Sequence, residues 1–185
     1  MLAAPAPSLT SDFKNMPPVI VQPPAWLHYL GKAVDWAVIL IGGSLAALIF
    51  LNVVLHAFGK DLAWLTELGE LLMVWVTFLG GACAAQRGAH MSINEFLDKL
   101  TPAKRRWADA GVQLFTLALL AVVLYFGIRI VQSSWDNVLT TLEWPMAWQY
   151  IPMPLGIGLT ALFICWDLLL IFRGIPREQR YATDL

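Results

Sequence analysis

Three histidines, His28, His56 and His90, have the widest chemical reach in this 185-residue sequence, because imidazoles on facing helices hold haem iron in many membrane bundles. Such a pair must sit at one depth. The apolar runs described below put His56 near one membrane surface and His90 beyond the opposite end of its helix, so the two cannot share an iron. The two cysteines, Cys83 and Cys165, fall inside apolar runs and read as small hydrophobic side chains, since a metal site needs further ligands that the sequence does not supply. No Ser/His/Asp set, glycine-rich phosphate loop or close carboxylate pair is present. These residue types point away from an enzyme and away from any cofactor or metal.

A small proton-coupled exporter would need a titratable group that alternates between the two sides of a membrane. Glu70 stands about 10 Å from the middle of its apolar run, and Asp167 about 9 Å from the middle of its own, taking about 1.5 Å per residue. They face opposite sides. Both are expected to be structural and paired at the membrane edge, with His56 the candidate neighbour of Glu70. Pro152 and Pro154 fall in the first turns of the last run, where proline is tolerated, so no broken helix is expected at the midplane.

The elements that must position these groups are four apolar runs, Val34 to Phe58, Leu68 to Gln86, Ala110 to Ile130 and Tyr150 to Phe172, none with an ionisable side chain at its middle. Each matches the roughly 20 residues that an α-helix needs to cross about 30 Å of hydrocarbon. With 58% hydrophobic and 14% charged residues, the chain has the balance of one membrane domain and not of a soluble fold. The expected fold is an all-α membrane protein with four transmembrane helices in residues 26–173. A flexible, proline-rich N-terminal tail (1–25) and a C-terminal tail (174–185) complete it. Nucleic acid is excluded as a partner, because no basic face accompanies a soluble module.

Charge placement orients the spans. If the amino terminus is cytoplasmic, Lys14, Lys32, Arg87, Lys99, Lys104, Arg105, Arg106, Arg173, Arg177 and Arg180 lie inside, and only Lys60 and Arg129 lie outside. The positive-inside rule therefore predicts N-in, C-in. Between the second and third spans, Ser92 and Glu95 form a capping box, and Ile93, Phe96, Leu97 and Leu100 share one helical face ahead of Pro102. This spacing predicts a short amphipathic cytoplasmic surface helix. From Trp26 to Val34, aromatic and polar side chains recur at helical spacing, which fits either a separate interfacial helix or an inward extension of the first span. Small residues at Gly42, Gly43, Ala46 and Ala47, and again at Gly80, Gly81, Ala84 and Ala85, offer close contact within the chain or against another.

A family resemblance rests on several stretches in order. Asn52-Val53-Val54 ends the first span; Trp64 to Glu67 opens the second, which continues through Trp75 to Ala82; Arg87 to Ile93 follows it; and Trp144 to Trp148 precedes the fourth. Together they resemble the small membrane subunit of tripartite ATP-independent periplasmic (TRAP) transporters, the DctQ-like family. Two positions depart from that pattern: His56 stands where arginine is frequent, and Glu70 where a basic residue commonly follows the glutamate matched by Glu67. One could compensate for the other if the helix ends touch.

The resemblance implies a bacterial inner-membrane subunit of a sodium-coupled importer of organic anions, non-catalytic and serving as scaffold for a large many-span subunit. A periplasmic substrate-binding protein would deliver the solute. Assembly or anchoring in another membrane complex, or proton-coupled export, are the rival readings. Candidate contacts with the large subunit or with phospholipid are Arg87, His90, Glu67, Glu70, His56, Gly80 and Gly81. For Arg87 and His90, the helix dipole alone accounts for a cation at a C-terminus, contributing about 0.3 to 1 kcal/mol. Asp136, Glu143, Trp144, Met146 and Trp148 are the candidate periplasmic contacts, although an interfacial aromatic belt explains much of that composition.

Overall fold

The computed structural model describes residues 24–60, 62–87 and 102–175, the side chains of the third helix from Trp107 onward. Five helices follow in order: α1 (Ala25–Ala57), α2 (Ala63–Gln86), α3 (Pro102–Ser133), the single turn α4 (Ala147–Tyr150) and α5 (Pro152–Phe172). Four stretches are long and apolar enough to cross a membrane: Ala25–Ala57, Ala63–Gln86, Trp107–Ser133 and Ala147–Phe172. The protein is thus a multi-pass, all-α membrane protein. The expected surface helix near Ser92 to Leu100, both tails and His90 lie outside the described residues.

The first three long helices begin ahead of the apolar runs that announce them. α1 is continuous from Ala25, so the stretch from Trp26 to Val34 extends the first span and forms no separate interfacial helix. Its 33 residues measure about 50 Å, well beyond the hydrocarbon thickness. Pro24 sets the start, its carbonyl accepting the N–H groups of Leu27 and His28 at 2.9 and 3.1 Å. The end is a left-handed glycine: Gly59 has φ 71°, and the N–H groups of Gly59 and Lys60 return to the carbonyls of His56 and Leu55. α5 closes in the same way at Gly174, with φ 77°.

Packing produces an open row and not a closed bundle. α1 lies against α2, α2 against α5, and α5 against α3, while no other pair of these four helices meets among the described residues. Glycines set two of these approaches. A Cβ on Gly156 of α5 would come within 2.5 Å of the carbonyl oxygen of Phe78 in α2. One on Gly31 of α1 would overlap the Gln86 side chain. The main apolar cluster joins Leu27 and Val34 of α1 to Leu79, Ala82, Cys83 and Ala85 of α2 and Phe163 of α5. Because α1 and α3 each have a single long neighbour, much of their apolar surface is left for lipid or another protein.

Candidate functional site

At one end of the row, residues 134–146 fold back as a braced hairpin. α3 stops where the hydroxyls of Ser133 and Ser134 both donate to the carbonyl of Ile130, at 3.0 and 2.7 Å. The chain then doubles over, with the N–H of Leu139 bonded to the carbonyl of Trp144 and that of Met146 to the carbonyl of Asn137. Val138 and Pro145 form an antiparallel bridge. Glu143 supplies the reversal by taking φ 54°, a left-handed conformation that costs a non-glycine residue on the order of 1 kcal/mol.

Two side chains of α2 hold this hairpin in place. The Glu67 carboxylate accepts the N–H of Thr141 at 3.0 and 2.9 Å and that of Leu142 at 2.9 Å. These are charge-assisted bonds to the hairpin tip. About two turns along α2 from Glu67, Trp75 donates its indole N–H to the carbonyl of Trp148 at 3.2 Å. Leu139 and Ala147 are buried beneath the loop, while Trp135, Val138, Trp144 and Trp148 remain exposed. Asp136 and Glu143 are also exposed, so the surface that is presented combines acid with aromatic area.

The opposite end of the row carries two polar ties. Arg87, the C-cap of α2, reaches Asp35 of α1 at 3.1 Å, with their side chains 69% and 27% exposed. Between α3 and α5, the Gln113 amide donates to the Asp167 carboxylate, and both residues are 5% exposed. Asp109, one turn from Gln113 on the same helix face, is buried as well. Among the described residues, no cluster of three His, Cys, Asp or Glu side chains could hold a metal.

The family described as the DctQ component of tripartite ATP-independent periplasmic transporters matches residues 45–174, which is more than half of the chain and includes α2, α3, α5 and the hairpin. The chain belongs to the DctQ family. It is 29% identical to the ectoine TRAP transporter small permease protein TeaB of Halomonas elongata, over 57% of this chain and 56% of that protein. It is also 29% identical to the C4-dicarboxylate TRAP transporter small permease protein DctQ of Rhodobacter capsulatus, over 64% of this chain and 52% of that one. The sialic acid TRAP transporter permease protein SiaT of Haemophilus influenzae is 34% identical over 56% of this chain, yet the match covers only 17% of SiaT. The chain thus spans little more than half the length of the two small permease relatives.

Within this DctQ-family chain, the candidate residues divide between the two ends of the row. Glu67, Glu143, Trp144, Met146 and Trp148 come together at the hairpin. Arg87 stands alone of its expected pair, since His90 is outside the described residues. Glu70 and His56 are both exposed, and Glu70 makes neither a hydrogen bond nor an ion pair among the described residues, so it is not compensated by His56. A Cβ on Gly80 or Gly81 would meet nothing within 4 Å, so neither position demands glycine for a close helix approach among the described residues. Sequence reasoning missed Asp35, Gln113 and Asp109. Their signal was available: each is a polar residue at or within one turn of the start of an apolar run.

Proposed function

We propose that the chain is the non-catalytic small permease subunit of a sodium-coupled TRAP importer of organic anions, seated in the bacterial inner membrane with both termini cytoplasmic. Its task is to widen the fixed scaffold of a large membrane subunit against which solute is moved. One observation carries this reading: the charged and amide side chains Asp35 with Arg87, Gln113 with Asp167, and Glu67 with Thr141 tie helix to helix or helix to hairpin. A carrier instead holds its polar groups in unwound backbone near the midplane. The long SiaT chain, of which this sequence matches a small part, supports a large partner in the same membrane.

On this reading the hairpin faces the periplasm, and Asp136, Glu143, Trp144, Met146 and Trp148 contact the substrate-binding protein or the rim of the large subunit. Arg87, whose guanidinium keeps most of its surface exposed beside Asp35, meets a phospholipid phosphate. Reconstitution tests the whole. Vesicles holding the large subunit and supplied with binding protein and sodium should take up solute only when this chain is present, whereas this chain alone should move nothing. Uptake that is undiminished without it would defeat the proposal.

A further inference from the structure

The helices differ in what they leave uncovered. α1, α3 and α5 expose large apolar side chains, among them Ile49, Phe50, Phe115, Phe126, Leu162 and Leu169, which hydrocarbon accepts without a partner. α2 does not. Its flanks are taken, one by α1 through Gly69 and Val76, the other by α5 through Phe78. What remains beyond Ala63 and Trp64 at its start is a stripe at helical spacing, Thr66, Glu70, Met73, Thr77 and Gly80, of which the first four are exposed.

The chemistry of this stripe suits protein better than lipid. Glu70 lies inside the apolar run and has no partner among the described residues, whereas Glu67, Asp35 and Asp167 are all engaged. Ionisable groups at membrane depth pair with something, and the described residues supply nothing. Thr77 returns its hydroxyl to the carbonyl of Met73 at 2.7 Å, so it presents a compact surface and needs no water. A helix approaching here would meet open space over Gly80.

We infer that this stripe of α2 is the docking face for a helix of the large permease subunit, and that the helix carries a lysine or arginine that pairs with Glu70. The inference rests on the proposed function and adds to it the face, the depth and the sign of the contact. The occupant follows from charge complementarity at Glu70 together with the long SiaT chain, in which a match to this sequence is continuous with much more permease. Lipid as the sole occupant is the competing outcome.

The test co-expresses the full chain with a TRAP large subunit from the same organism and places a photo-crosslinking residue at Met73, Thr77, Phe115 or Leu162. Crosslinks to the large subunit from Met73 and Thr77, and none from Phe115 or Leu162, are expected. Glu70→Gln should reduce copurified large subunit, Glu70→Lys should reduce it on the order of ten-fold or more, and a Lys→Glu or Arg→Glu change at the crosslinked level of the large subunit should restore the Glu70→Lys complex. Gly80→Val has room within the chain, so it should keep the helical circular dichroism and thermal midpoint of the isolated chain yet lose the partner. Large subunit that copurifies and crosslinks only from Phe115 or Leu162 overturns this face and leaves the proposed function standing. If no large subunit copurifies with the unaltered chain, the proposed function itself fails, and the docking face with it.

Discussion

Trp75 donates to the backbone carbonyl of Trp148 because Pro152 cannot. Within a continuous helix, that carbonyl would receive the N–H of the residue four positions on, and the pyrrolidine ring at Pro152 has none. The hydrogen-bond ladder is accordingly interrupted between α4 and α5, while Ile151 keeps helical φ −50° and ψ −41°, and an indole from a neighbouring span fills the vacancy. Pro152 is at the same time fully buried, so the break is also a packing point.

Trp75→Phe should keep most of the apolar contact and lose the hydrogen bond. A net loss of about 0.5–1.5 kcal/mol is expected, which lowers the thermal midpoint by a few degrees in detergent. Trp148→Phe serves as the control, since it acts through its backbone carbonyl and should move the midpoint less. Equal shifts in the two variants would refute the role given to the indole.

Glu67→Ala removes both acceptors from the hairpin tip. Hydrogen exchange at Thr141 and Leu142 should speed up by an order of magnitude or more, with exchange in the middle of α5 unchanged. Glu67→Gln keeps an acceptor oxygen but loses the charge, and should fall between. Tip amides that exchange at the parental rate in Glu67→Ala would show that the carboxylate does not hold the hairpin.

These two ties also mark where the sequence was legible and where it was not. Apolar runs of span length announced the four crossings, because lipid demands about 20 residues whatever the packing. They understated α1 and α3, since charged and aromatic flanks are as compatible with helix as with loop, and α1 runs back to Ala25 and α3 to Pro102. The row order was hidden: Gly156 reads as an ordinary small residue until Phe78 is known to lie on it. Glu67 was singled out, but its partners are backbone N–H groups more than 70 residues away, and the main chain carries no sequence signal. Gly80 and Gly81 read as packing sites, yet a Cβ added at either would meet nothing within 4 Å among the described residues.

Asp35 and Arg87 should couple weakly. The arginine is mostly exposed, and solvent screening limits such a pair to about 0.2–1 kcal/mol. A double-mutant cycle with Asp35→Asn and Arg87→Gln, followed by thermal unfolding, should give a coupling in that range that shrinks as salt rises. Coupling of several kcal/mol, insensitive to salt, would mean that the pair is sealed from solvent.

Gly156→Ala and Gly80→Ala make the same chemical change in two membrane helices and should give opposite results in the isolated chain. At Gly156 the added methyl meets the Phe78 carbonyl oxygen at 2.5 Å and its Cβ at 2.8 Å, so α2 and α5 must separate. Overpacking of this kind costs about 1–3 kcal/mol, and because α2–α5 is the central contact of the row, the loss should appear as a lower unfolding midpoint. At Gly80 the methyl meets nothing within 4 Å, and alanine is the better helix former by roughly 1 kcal/mol in water. That variant should unfold no earlier than the parent. The comparison is read by circular dichroism against temperature on matched detergent samples, and a Gly156→Ala midpoint at or above that of Gly80→Ala would rule out the close α2–α5 approach.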